Sequence, residues 1–391
     1  MMKNRFRVIC IFIFGILVLP AKLLSQWAIM HTEADSLIQK GSFHIYNIEF
    51  DSASACFKQV IDMYPDHPAG YFLDAMVEWW KIRLFRETEK YDKGFLKKID
   101  KVINLCEKRL DSNIVDITAL FFLGGAYGYR GRFHAIRQNY LNVANDGRKG
   151  YEILTECWKL APGNHDIQLG TGIYNYFVVV FPEEYPALKP LTAFFPKGDK
   201  RIGILQLRSA AKYARYASVE AKEVLLQIYY QFEDNYPDAL LMAEELAFTY
   251  PNNPFFKRYL ARSYTTNGWE YQDKAEALWR EILKKCIKRE IGYDRLTSRE
   301  ALFYVGLALM RRQDYEAALK YLYKCDEASR AVDKDGPSGF MVKTNLYIGR
   351  ILDLQGKRKY AIKQYEKLLR WKDYDGSQES AKKYIEKPYG Q

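Results

Sequence analysis

Apolar and small residues recur along the chain with a period that neither a plain helix nor a strand explains. From Leu37 the order is Gly41, Phe50, Ala53, Phe57, Val60 and Pro65. A small residue sits midway along a first helix and an aromatic at the turn, then a small and a bulky residue on a second helix, then proline. Where two helices cross, one side must be small for the backbones to approach, and large neighbours fill the next layer. Proline stops the second helix because it has no backbone donor. The register returns at Leu123, Gly124, Tyr127, Gly131 and Phe133, continued after an insertion by Gly150, Leu154, Cys157 and Pro162. It returns again at Leu226, Tyr230, Tyr236, Ala239, Leu246 and Pro251, and at Leu260, Ala261, Tyr264 and Gly268. Leu226 to Leu260 and Tyr230 to Tyr264 are both 34 residues apart. Val305, Gly306, Tyr315, Ala318, Leu322 and Cys325 form another unit, and Gly349, Gly356, Ala361, Tyr365 and Leu368 the last. Six units in register predict an all-α, right-handed superhelix of seven to eight helix pairs, whose ends fray on truncation because each repeat leans only on its neighbours.

These residues resemble the tetratricopeptide-repeat superfamily. Between them lies Gly170-Thr-Gly-Ile-Tyr-Asn-Tyr-Phe-Val-Val-Val-Phe-Pro182, followed by Leu188, Leu191, Phe195, Gly198-Asp199-Lys200-Arg201, Gly203 and Leu207. This stretch is similar to the insert of the mitochondrial inclusion-body clearance family, as a distant bacterial relative would be. The resemblance implies a non-catalytic helical-repeat protein. The expected organisation is a signal peptide over 1–25, helical repeats over 26–172, an apolar insert over 173–202 packed on the array, and helical repeats over 203–391. The insert carries Tyr174, Tyr176, Phe177, Phe181, Tyr185, Phe194 and Phe195 with four prolines, more apolar surface than a solvated loop would expose. Tyr176–Phe181 is the one run with strand character.

The first residues change the cellular picture. Lys3, Arg5 and Arg7 precede an apolar run from Val8 to Leu19, closed by Pro20 and Lys22. Twelve residues rise only about 18 Å as a helix, short of a bilayer's hydrocarbon core. With Ser25 before Gln26 the segment reads as a secretory signal, which places the protein in the periplasm or cell envelope. The formal charge of +11 falls to +7 once residues 1–25 are removed. That excess reads as a solvated basic surface, with no nucleic acid as partner. The cysteines left, Cys56, Cys106, Cys157, Cys286 and Cys325, are odd in number and lack Cys-x-x-Cys spacing, so they read as core residues rather than a disulfide or zinc framework.

Catalytic patterns are missing. There is no phosphate-loop, zinc-helix or nucleophile-elbow motif, Gly170-x-Gly172 lacks a third glycine, and no two of the five histidines have helical ligand spacing. The expectation is therefore a binding scaffold, not an enzyme, with no cofactor and no metal. Counting from Leu260, Val305 and Ile348 places Arg258, Arg262, Arg311, Lys343 and Arg350 on the concave groove. Arginines there suit carboxylates or phosphates, because guanidinium forms bidentate charge-assisted bonds. An acidic protein or peptide is the expected partner, unless these arginines pair with local acids such as Glu300 and Asp353. A membrane-associated role through the N-terminus or insert, and a glycan- or polyanion-binding role, are the alternatives. Trp79, Trp80 and Trp371 are the exposed rings the glycan reading would use.

Overall fold

The computed structural model describes residues 32–184, 186, 189–192 and 195–391. The segment read as a signal, and Tyr185, Leu188 and Phe194, lie outside the described residues. Every regular element among the described residues is helical. The helices pack in consecutive pairs: α1 (Thr32–Tyr46) with α2 (Phe50–Met63), α3 (Pro68–Leu84) with α4 (Asp92–Ser112), α5 (Ile117–Ile136) with α6 (Tyr140–Leu160). The short α8 (Lys189–Thr192) lies between the partners of the fourth pair, α7 (Ile167–Glu184) and α9 (Lys200–Tyr213). Then follow α10 (Ser218–Gln231) with α11 (Tyr236–Thr249) and α12 (Pro254–Thr266) with α13 (Gln272–Ile287). The array ends with α14 (Arg295–Arg311) beside α15 (Tyr315–Val332), α16 (Gly339–Leu354) beside α17 (Arg358–Leu368), and a terminal α18 (Ser377–Glu386).

Local chemistry sets these boundaries. Asp116, Asn253, Asp294 and Ser338 cap α5, α12, α14 and α16, each accepting a hydrogen bond from a first-turn N–H. Pro68 and Pro254 open α3 and α12, where a missing donor costs nothing. α2, α6 and α11 each stop two residues before Pro65, Pro162 and Pro251. The small residues anticipated at crossings are there: Ala239 and Ala318 are fully buried, and a Cβ on Gly124 would lie 2.6 Å from Leu154 Cγ.

Two sequence-based assignments change. Tyr176–Phe181 is the middle of α7, not strand. The segment read as an insert begins within α7 and ends within α9, and these two helices pack against each other. At their crossing a Cβ on Gly203 would lie 2.7 Å from the Tyr176 backbone nitrogen and 2.9 Å from the Gly172 carbonyl oxygen. Only glycine allows that approach. Tyr174 stacks on Tyr151 with ring centroids 3.8 Å apart and donates to the Pro196 carbonyl at 2.9 Å; Phe177 packs on Phe181 and Phe232. No helix among the described residues is long and apolar enough to cross a membrane.

The first helices of successive pairs touch one another: α1 with α3, α3 with α5, α5 with α7, α7 with α10, and α14 with α16. Second helices make no comparably extensive contact with each other. First helices therefore line the inner side of the curve, where the radius is smaller.

Candidate functional site

On that inner side the early pairs meet the later ones. α1, α3 and α5 form one wall and α10, α12 and α14 the other, and long side chains bridge them. Trp80 Nε1 donates to Glu220 at 2.8 Å, and Arg83 to Glu223 at 2.5 Å. Arg132 reaches both carboxylates, at 3.4 and 3.2 Å. Glu223 is completely buried and Glu220 nearly so. Burial pushes the Glu220 carboxyl above its ordinary range, and Arg132 opposes that shift. Two guanidinium groups thus neutralise two carboxylates one helical turn apart. Farther along, Arg86 grips Asp294 through both oxygens, with the closest contacts at 2.8 Å, and bonds Thr297 at 3.1 Å. Aromatic rings fill the space between: Trp80 meets Tyr46, Phe255 and Phe256 edge-on, and the Arg83 guanidinium lies 4.6 Å from the Phe255 ring centroid. Asn253 donates to the Tyr46 carbonyl at 2.9 Å, and Asp35 binds Arg215 and Tyr216. These hydrogen bonds join residues 88 to 211 positions apart, so the inner face is a closed seam along this length.

The seam decides where the five anticipated groove cations lie. Arg258 and Arg262, one turn apart on α12, are inside it. Arg258 is 7% exposed. Arg262 clasps both oxygens of Glu300, the local pairing the sequence left open. Asp353 pairs instead with Arg358 and accepts from Tyr365 and the Tyr389 N–H. Arg350 lies among three rings, about 5 Å from the centroids of Tyr347, Tyr384 and Tyr389, and donates to the Tyr384 hydroxyl. Lys343 pairs with Asp375. Arg311 is exposed and makes no hydrogen bond or ion pair with any described residue; partial burial and Arg312 hold its guanidinium below its ordinary value. The structure therefore separates the five: two within the seam, three on the last two first-helices and their surroundings.

No family model matches the chain, and no curated protein does. Solved structures match it along most of its length. A human IFIT1 dimer with m7Gppp-AAAA is 10% identical, covers 93% of this chain and 89% of its own, and has a TM-score of 0.41. Yeast Tom70 is 12% identical, covers 91% and 89%, and scores 0.39. A tetratricopeptide repeat protein from Parabacteroides merdae is 12% identical, covers 76% and 94%, and scores 0.31. At these scores the matches carry no argument about ligand or role. The paired all-helical architecture rests on the geometry above.

Two of the three rings offered for glycans are not available. Trp79 and Trp80 are buried, Trp79 packed edge-on against Tyr129, because the seam covers the face of α3 they occupy. Trp371 is half-buried, with the Lys367 ammonium 5.0 Å from its ring. It belongs to a feature the sequence reading missed. Arg330, Lys363, Glu366, Lys367, Arg370 and Trp371 line an open furrow of about 610 Å³ between α15 and α17. The signal was present: residues 339–391 hold twelve Lys or Arg against six Asp or Glu, so the charge excess is concentrated at this end rather than spread evenly. The five cysteines among the described residues are free thiols, four of them buried, and burial pushes Cys106 and Cys157 up to about 12. Among the described residues no group of three His, Cys, Asp or Glu could hold a metal ion.

Proposed function

We propose that the protein is a non-catalytic helical-repeat scaffold that binds an acidic segment of a protein partner at its C-terminal end, with Arg311, Lys343 and Arg350 as the contacting cations. The observation that supports it is the charge surplus of residues 339–391 together with an exposed Arg311 that makes no direct ion pair with any described residue, Glu276 acting on it only through space. An extended acidic peptide would give Arg311 the partner it lacks and compete with the exposed Asp375 for Lys343. Arg350, held among Tyr347, Tyr384 and Tyr389, adds a third positive charge to the contact.

The N-terminal pattern supports export to the cell envelope as the setting, which the mass of the mature chain would test. Binding is tested with a fluorescent ten-residue glutamate peptide. Micromolar binding that weakens steeply with salt is expected, with at least a tenfold loss for the Arg311→Glu, Lys343→Glu double variant. Unchanged affinity and salt slope in that variant would defeat the reading.

A further inference from the structure

The seam holds one cation too many. On its α12–α14 side stand Arg86, Arg258 and Arg262 against Asp294 and Glu300. Both carboxylates are fully engaged: Asp294 takes Arg86 and caps α14 through the Thr297 N–H at 2.7 Å, and Glu300 is clasped by Arg262. On the neighbouring stretch Glu220 and Glu223 are consumed by Arg83, Arg132, Trp80 and Gln227. Arg258 is left with no hydrogen bond and no ion pair to any described residue. Its Nε is fully enclosed, while its terminal nitrogens keep a narrow opening to solvent. The guanidinium lies 5.7 Å from the centroid of Phe255, whose ring also carries Arg83.

Contrast shows that this is specific to Arg258. Arg299, nearly as buried, binds Asp333 at 2.6 Å and also reaches Ser338. A buried guanidinium with no hydrogen-bonded anion is costly, because water no longer solvates the charge and a carboxylate already held by another arginine replaces that solvation only in part. Burial, with Arg86 and Arg262 beside it, pushes Arg258 down to about 9, and the field of Glu300, which is already clasped by Arg262, opposes that only in part. Its planar fork of unused donors matches two oxygens of a carboxylate or phosphate.

We propose that the inner seam is a binding site for one small oxyanion, a carboxylate or a phosphate, held by the terminal nitrogens of Arg258 with Arg86 and Arg262 supplying further positive charge. The site is independent of the acidic-segment reading, since none of its residues is among Arg311, Lys343 and Arg350. Because Arg86 lies in the turn that follows α3 and Arg258 in α12, an anion between them ties the two walls together, and its occupancy sets how firmly the superhelix is closed. The narrow opening limits the ligand to a free small anion or a single terminal group.

The full chain is titrated calorimetrically with sodium phosphate and, separately, sodium acetate, each against sodium chloride of equal ionic strength, and thermal unfolding is followed in the same buffers. One binding site per chain and a saturable rise in melting temperature are expected. Response to phosphate alone, acetate alone or both names the ligand class. Arg258→Met should melt higher than wild type in chloride and lose the oxyanion-specific rise. Arg258→Lys, which keeps the charge but not the fork, should retain it with at least tenfold weaker affinity. No calorimetric site for either anion in the wild-type chain would overturn the proposal whether or not the variants fold. So would an equal melting-temperature rise in wild type and Arg258→Met.

Discussion

Replacing Arg132 by Met keeps an unbranched apolar stem and removes one of two charges that neutralise Glu220 and Glu223. Both carboxylates are buried, and the Arg132 side chain is itself only 18% exposed. The variant leaves two acids facing Arg83 alone. Breaking a buried pair from one side costs roughly 3–5 kcal/mol, which is the destabilisation expected at pH 8. The loss should depend on pH in a definite direction. Glu220 already stands above its ordinary value near 4.5 because of burial, and losing Arg132 removes the group that opposes that shift. Between the unfolded and the folded pKa the folded chain binds more protons than the unfolded one. Stability therefore falls as pH rises through that window, by about 1.4 kcal/mol per pH unit at most. Acidification should recover part of the loss, more in the variant than in wild type. Urea unfolding from pH 5 to 8 measures this, read by tryptophan fluorescence, since the Trp80 indole donates directly to Glu220. The double variant Arg132→Met, Glu220→Gln restores one cation to one anion and should regain most of the pH 8 stability. A deficit that stays constant with pH, or a double variant no better than the single one, would refute the charge balance described here.

Further outcomes follow from other parts of the array. His67 caps α3 by accepting from the Ala69 N–H at 3.2 Å, and burial with Arg109 nearby lowers its imidazole to about 4. The folded chain thus binds fewer protons than the unfolded one between pH 6.5 and 4, and stability present at neutral pH should fall by about 2 kcal/mol at pH 5; His67→Asn, which keeps the acceptor, should remove that fall in chemical denaturation. Gly203→Ala should cost about 1–3 kcal/mol through overpacking at the α7–α9 crossing, and a neutral melting curve would contradict the geometry. Gly147→Ala, in α6 with nothing within 4 Å of the added methyl, should instead stabilise by about 0.5–1 kcal/mol.

The pairs that were legible in the sequence were those whose crossing residues follow the common order. Gly41 faces Phe57 and Gly306 faces Leu322, as the spacing implies. The α7–α9 pair was hidden because its crossing uses two glycines and its helix is rich in Val and aromatic residues, so periodicity favoured an insert. The α3–α4 pair gave no reading at all: α3 is apolar on both faces, with ten buried residues spread around it. That same property was the missed sign of the seam, since a helix buried all round needs a second neighbour. The placement of Trp79, Trp80, Arg258 and Arg262 depended on contacts between residues up to 211 positions apart, and a 34-residue period carries no information about them. The local pairing of Arg262 with Glu300 was legible, because both fall on first helices of adjacent units.

Solenoids usually change length freely, because a duplicated module meets the same neighbours as the original. The cross-ties from Arg83 to Glu223 and from Arg86 to Asp294 remove that freedom here. A module gained or lost between α5 and α10 would slide one wall past the other and set guanidinium groups against greasy rings. This chain counts its modules, and deletion of α1 to α4 should strip the lining from α10 to α14 instead of merely loosening one end.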